Sequence, residues 1–149
     1  MSLAEKICLS AAFLFFMTGL LTGIWKYRHI AKSNDASSPV YVDIAHRSSL
    51  LYSFAALLLA AFSGYSIWPD AVNAAAAVSA LAFFAFAIAT YVLHGMLQDT
   101  DNQLRRPHRL GQTLLPTWLT GLFMVLLIVA EVGGTLVLGT GAMLGVWKS

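Results

Sequence analysis

Long apolar runs alternate with short polar stretches along this chain, and the runs have the length of membrane crossings. Residues 7–25 form the first run, which ends on Trp25 and Tyr27, aromatic side chains suited to the headgroup layer. Residues 26–43 are polar, contain Pro39 and read as an exposed loop. The second run covers about 46–67 and closes on Trp68-Pro69-Asp70, a turn because proline cannot readily continue a helix. A third run covers about 71–97, where the alanines at 74–77 permit close helix approach. After the polar stretch 98–109, a fourth run covers about 115–146. It exceeds the roughly 20 residues a crossing needs, so the helix tilts, emerges or kinks past Gly133-Gly134. The pattern predicts one domain over residues 1–149, all-α, an integral membrane bundle of four transmembrane helices.

Composition agrees with lipid as the solvent. The chain is 58% apolar and 11% charged, against roughly 25% charged in an ordinary soluble domain. Seven of the nine Lys and Arg lie in two stretches, Lys26, Arg28, Lys32 and Arg47, then Arg105, Arg106 and Arg109. Basic loops stay in the cytoplasm, so loops one and three are expected inside, with loop two and both termini outside, in a bacterial inner membrane. Lys6 is the only basic residue before the first run, and no small-residue cleavage site follows Gly23-Ile24-Trp25. A retained helix is therefore expected, not a signal peptide. Cys8 is single, which rules out an intrachain disulfide and leaves packing as its role. No phosphate-binding loop, dinucleotide fingerprint, nucleophile elbow or paired cysteines occur, and no basic amphipathic element suggests nucleic acid.

Polar groups inside a bilayer are costly, so each one in the apolar runs is a candidate for function. His46 opens the second helix in Asp43-Ile44-Ala45-His46-Arg47-Ser48-Ser49, with Ser49 and Ser53 on its face and Tyr52 beside it. On the third helix, Tyr91, His94 and Gln98 form a polar stripe. If helix two enters near 46 and helix three returns near 97, His46 and His94 lie at similar depth. They could then serve as axial ligands to a haem or another metal, with Arg47 or Arg105 facing a haem propionate. The plainer alternative is that each imidazole sits in the interface, satisfied by water or a backbone carbonyl. His29 and His108, in the basic loops, read as solvated.

Glu131 is the one ionisable residue deep in an apolar run, and should face the bundle, a neighbouring subunit or water. It lies roughly opposite Ser79, farther from the inner surface than the two histidines. Proton relay or substrate polarisation is one reading, a hydrogen-bonded structural carboxyl the other. Gly133, Gly134, Gly139, Gly141 and Gly145 crowd the fourth helix, and Gly141–Gly145 has GxxxG spacing. Small residues let helix backbones approach in lipid, either within the bundle or in a homo-oligomer or larger membrane complex.

The run Thr18-Gly19-Leu20-Leu21-Thr22-Gly23, a polar loop and then Ala45-His46 resembles styrene oxide isomerase and the related hydroxylaminobenzene mutases, as do the length and four-helix layout. The resemblance implies an oligomeric membrane isomerase with haem b held by His46, whose ferric iron acts as a Lewis acid on an epoxide oxygen. Where styrene oxide isomerase has an Asn about one and a half turns later, this chain has Tyr52, so the substrate need not be the same. Tyr91 could be a second phenol of the pocket. Glu131 and Gly133-Gly134 have no place in that pattern. Three functions stand open from the sequence: a haem-dependent isomerase of a small apolar substrate, a haem-b electron-transfer subunit ligated by His46 and His94, and a cofactor-free subunit packing through its fourth helix.

Overall fold

The computed structural model describes residues 1–148, so Ser149 lies outside the described residues. Four helices make up the chain: α1 (Leu3–Lys32), α2 (Val40–Tyr65), α3 (Asp70–Leu97) and α4 (Thr117–Val146). All four are long and apolar enough to cross a membrane. The chain is an integral membrane protein built as an all-α four-helix bundle.

Local chemistry sets the helix starts. Ser2 and Glu5 form a capping box on α1, which satisfies amide groups that the first turn leaves without partners. Pro39, Pro69 and Pro116 stand at the N-caps of α2, α3 and α4, where a missing N–H costs nothing. Asp70 caps a helix other than its own, its carboxylate accepting from the Leu3 and Ala4 amides at 2.9 and 3.2 Å. That contact ties the start of α1 to the start of α3.

The central pair is α2 and α3. The most extensive contact is α1 on α2, and α4 lies against α3 and α2 on the side away from α1. The core runs between α1, α2 and α3 through Cys8, Phe15, Ala56, Leu59, Ala77 and Phe84. Cys8 is buried there, in the packing role expected of it. The glycines of α4 are used within the chain. A methyl group added at Gly134 would lie 2.5 Å from the Ala76 carbonyl oxygen, one at Gly141 would strike Ser66 and Trp68, and one at Gly145 would strike the Tyr65 carbonyl. Loop two completes this contact, with Ile67 N–H donating to Gly141 O at 3.2 Å and Trp68 Nε1–H to Val137 O at 3.0 Å. Gly121 and Gly133 face away, with nothing within 4 Å of an added Cβ. Toward its start, α4 touches the bundle through Phe123, packed on Phe83 and Phe86 at ring-centroid distances of 5.3 and 4.4 Å.

The helices outrun the apolar segments that announced them. Residues 26–43 are not one loop: α1 continues to Lys32, α2 begins at Val40, and only 33–39 connect them. The reason is that hydropathy marks where lipid begins, whereas a helix can continue through the headgroup layer with its polar side chains paired. Here Lys26 of α1 meets Asp43 of α2 at 2.5 Å across the seam, and Arg47 meets the same carboxylate at 2.8 Å from one turn along α2. Helix α4 runs unbroken through Gly133-Gly134. Loop three holds a small antiparallel hairpin, β1 (Arg109–Leu110) and β2 (Thr113–Leu114), turned at Gly111, whose φ of 59° favours glycine. His108, expected to be solvated, is only 6% exposed. The loop folds back over the bundle end, and the His108 carbonyl accepts from Leu115 N–H at 2.9 Å.

Candidate functional site

Tyr52 stands within electrostatic reach of both Tyr91 and Glu131, although the three residues are on different helices. The ring of Tyr52 stacks on Phe84 at 4.5 Å and 14°. The Tyr91 phenol and the Glu131 carboxyl both lie within electrostatic reach of the Tyr52 hydroxyl. Side-chain direction explains the meeting. Helical side chains lean toward their own N-terminus, and α2 and α3 run antiparallel, so Tyr52 and Tyr91 lean toward each other. Glu131 sits three residues before Gly134, on the face that α4 turns to the bundle. Its Oε1 is buried and has no hydrogen-bond partner among the described residues.

His46 turns to a different neighbour. Its Nδ1 lies 2.8 Å from the Gly19 carbonyl oxygen, and a methyl group at Gly23 would come within 2.9 Å of its Cε1. The glycines of α1 thus form a notch for the imidazole. A carbonyl can only accept, so Nδ1 carries a proton, and in the neutral ring Nε2 keeps its lone pair. That is the tautomer a metal-ligating histidine adopts when its second nitrogen is held by a carbonyl. Arg47, next along α2, is largely exposed and paired with Asp43.

His94 belongs to a third place, at the end of the bundle that carries loops one and three. It is 5% exposed, its Nδ1 meets Asp99 Oδ1 at 2.7 Å, and its ring lies 5.0 Å from that of Tyr41. The other Asp99 oxygen accepts the Gly111 N–H, and the Tyr41 hydroxyl accepts the Gln103 N–H. Burial raises the pKa of Asp99, but the His94 ring and the Gly111 amide outweigh it and hold the carboxyl below its ordinary value. The contact therefore fastens loop three to α2 and α3.

The sequence candidates fall into these three places. Tyr52, Tyr91 and Glu131 converge, His46 docks on α1 beside Arg47, and His94 packs under loop three. The two imidazoles turn to different partners. Tyr41 links two of the places, since its ring is 6.1 Å from that of Tyr91 and 5.0 Å from that of His94. A run of ring side chains thus leads from the interior phenols to the polar end. Neither Tyr41 nor Asp99 is a site candidate by sequence, because each lies in a stretch that reads as loop. The available signal was Asp99 five residues after His94, just beyond the helix end.

Among the described residues, no three His, Cys, Asp or Glu side chains gather where they could hold a metal ion. Haem iron needs less from the protein, because four of its ligands are its own ring nitrogens. The fold defines a class: a four-helix integral membrane protein, here with a carboxyl and a second phenol within electrostatic reach of the Tyr52 hydroxyl. No family model, curated protein or solved structure matches the chain.

Proposed function

We propose that this protein is a membrane-embedded isomerase that rearranges a small apolar substrate, an epoxide or an aryl hydroxylamine, within the bundle. The observation that supports this reading is the convergence of Tyr52, Tyr91 and Glu131 with one Glu131 oxygen buried and unpartnered. A buried polar atom without a partner costs about 1–3 kcal/mol, so a substrate oxygen that supplied the missing partner would be bound selectively. For an epoxide, Glu131 gives its proton to the ring oxygen as one C–O bond breaks. A hydride then moves from the oxygen-bearing carbon to the neighbouring cationic carbon. The O–H proton returns to Glu131 as the C=O bond forms, so atoms and electrons balance with no external oxidant. Tyr52 and Tyr91 donate hydrogen bonds to the oxygen as charge develops on it.

One observation favours a second reading, in which haem b binds at His46: the Nδ1 contact to Gly19 that leaves Nε2 free. When bound there, ferric haem would supply a Lewis acid for the substrate oxygen. His46 faces α1 whereas Tyr52 faces α3, so the two readings put the chemistry on different sides of α2. An electron-transfer haem held by both His46 and His94 has less support, because the rings face different partners. Copies that associate through α4 would use a face other than that of Gly134, Gly141 and Gly145, which are filled from within. We place the polar end on the cytoplasmic side of a bacterial inner membrane.

Purified protein supplied with an aryl epoxide or an aryl hydroxylamine tests the reading. Glu131→Gln should lower kcat by about 10²–10⁴-fold, the usual contribution of a positioned general acid, with helicity and solubility in detergent kept. Tyr52→Phe and Tyr91→Phe should each lower it by about tenfold. Full activity in all three variants would remove the interior site. A Soret band lost in His46→Ala, together with lost turnover, would move the chemistry to the second reading.

A further inference from the structure

We propose that the cavity at the polar end of the bundle binds a phosphate ester, with Arg106 and Arg109 as the groups that recognise it. The cavity measures about 560 Å³ and opens between the first turn of α2, the last turn of α3 and loop three. Arg105, Arg106 and Arg109 line it, together with Asp99 and Asp101. Both aspartates are already engaged. Asp99 binds His94 and the Gly111 amide through its two oxygens. Asp101 is held by Arg105 at 2.8 and 3.3 Å, again through both oxygens. Arg106 and Arg109 have no ion pair or side-chain hydrogen bond among the described residues, whereas Lys26, Arg47 and Arg105 each reach a carboxylate. The cavity therefore presents two uncommitted guanidinium groups.

The loop that carries them is fastened on both sides. Gln103 N–H donates to the Tyr41 hydroxyl, Arg105 N–H to Asn102 O, and Leu115 N–H to His108 O. Two guanidinium forks carried on one fastened loop can close on an anion with several oxygens in more than one plane, which a phosphate offers and a single carboxylate does not. The first turn of α2 borders the same space without a side-chain cap, and with Val42 and Asp43 N–H taken by the Pro39 carbonyl it adds the Val40 and Tyr41 amides. Met96 and Leu97, in the last turn of α3, are exposed apolar side chains, so apolar surface adjoins the polar end where the cavity opens. Phospholipid headgroups and soluble phosphate esters share this chemistry, and an experiment can tell them apart.

Native mass spectrometry in detergent, with phosphatidylglycerol or phosphatidylcholine titrated in, reads the first source. Thermal shift with inorganic phosphate or glycerol phosphate reads the second. Arg106→Gln/Arg109→Gln should weaken phosphatidylglycerol binding by about tenfold or more, from the loss of two charge-assisted contacts. Arg28→Gln/Lys32→Gln, which removes two charges from the same end but outside this cavity, should change it by less than about twofold. A parallel loss of response to soluble phosphate assigns a soluble ester, and a loss confined to lipid assigns a headgroup. If the double variant does not fold, Arg106→Lys, which keeps the charge but not the fork, should still weaken binding severalfold. Unchanged binding in the cavity variants, or an equal loss in the control, overturns the proposal.

Discussion

Asp99 shows how one carboxylate decides the shape of a loop. Its side chain is only 6% exposed, and burial alone would favour the neutral form. The His94 ring and the Gly111 amide reverse that preference, so its pKa lies below the ordinary 3.8. A carboxyl whose pKa is depressed by folding contributes stability above its unfolded value, and the contribution is lost as pH falls through the lower, folded value. Loop three should accordingly stay fastened at neutral pH and loosen only below about pH 4. Asp99→Asn should loosen it at pH 7 as well, because an amide binds His94 and Gly111 less strongly than a carboxylate does. Amide hydrogen exchange across 98–115 checks both points. The expected result is faster exchange in the variant at pH 7 and a smaller difference between variant and wild type in acid. Equal protection of the two proteins at pH 7 would show that Asp99 does not hold the loop.

At the scale of elements, the four spans were legible because lipid imposes a length and a composition on any helix that crosses it. Their ends were not legible, since pairs such as Lys26–Asp43 let a helix continue where hydropathy has already fallen. The candidate site was readable in part. Tyr52, Tyr91 and Glu131 stood out as polar groups in apolar surroundings, but their meeting depended on side-chain lean and helix order. The facing direction of His46 was hidden for a related reason: a two-glycine notch on α1 accepts its ring, and nothing on α2 reports it. Helix packing also separates two adjacent glycines. Gly134→Leu would drive a side chain into the Ala76 backbone, whereas Gly133→Leu would meet open space. Overpacking of a tight contact typically costs about 1–3 kcal/mol. Gly134→Leu should therefore lower resistance to unfolding in mixed micelles by at least that much, and Gly133→Leu should leave it nearly unchanged. Equal effects at the two positions would contradict the α3–α4 contact.

For the whole molecule, an even number of spans fixes a relation that no single residue carries. Four antiparallel helices place loops one and three at one end of the bundle, and loop two at the other with both termini. Seven of the nine Lys and Arg belong to the first end, and Lys6 and Lys148 are the remaining two. An asymmetry of this size orients a membrane protein with its basic end in the cytoplasm. Single cysteines at exposed positions can report it, because the native Cys8 is buried and should stay silent. Asn34, Ile67, Asn102 and Lys148 are all exposed or nearly so and sample the two ends. With a membrane-impermeant maleimide, Asn34→Cys and Asn102→Cys should react only after cells are permeabilised. Ile67→Cys and Lys148→Cys should react in intact cells. If Asn34→Cys and Asn102→Cys behaved differently from each other, the four-span layout itself would fail. If all four reversed together, the bundle would stand and only the charge argument for its orientation would fall. The arginine-lined cavity would then face the outer leaflet, and any lipid it holds would have to come from that side.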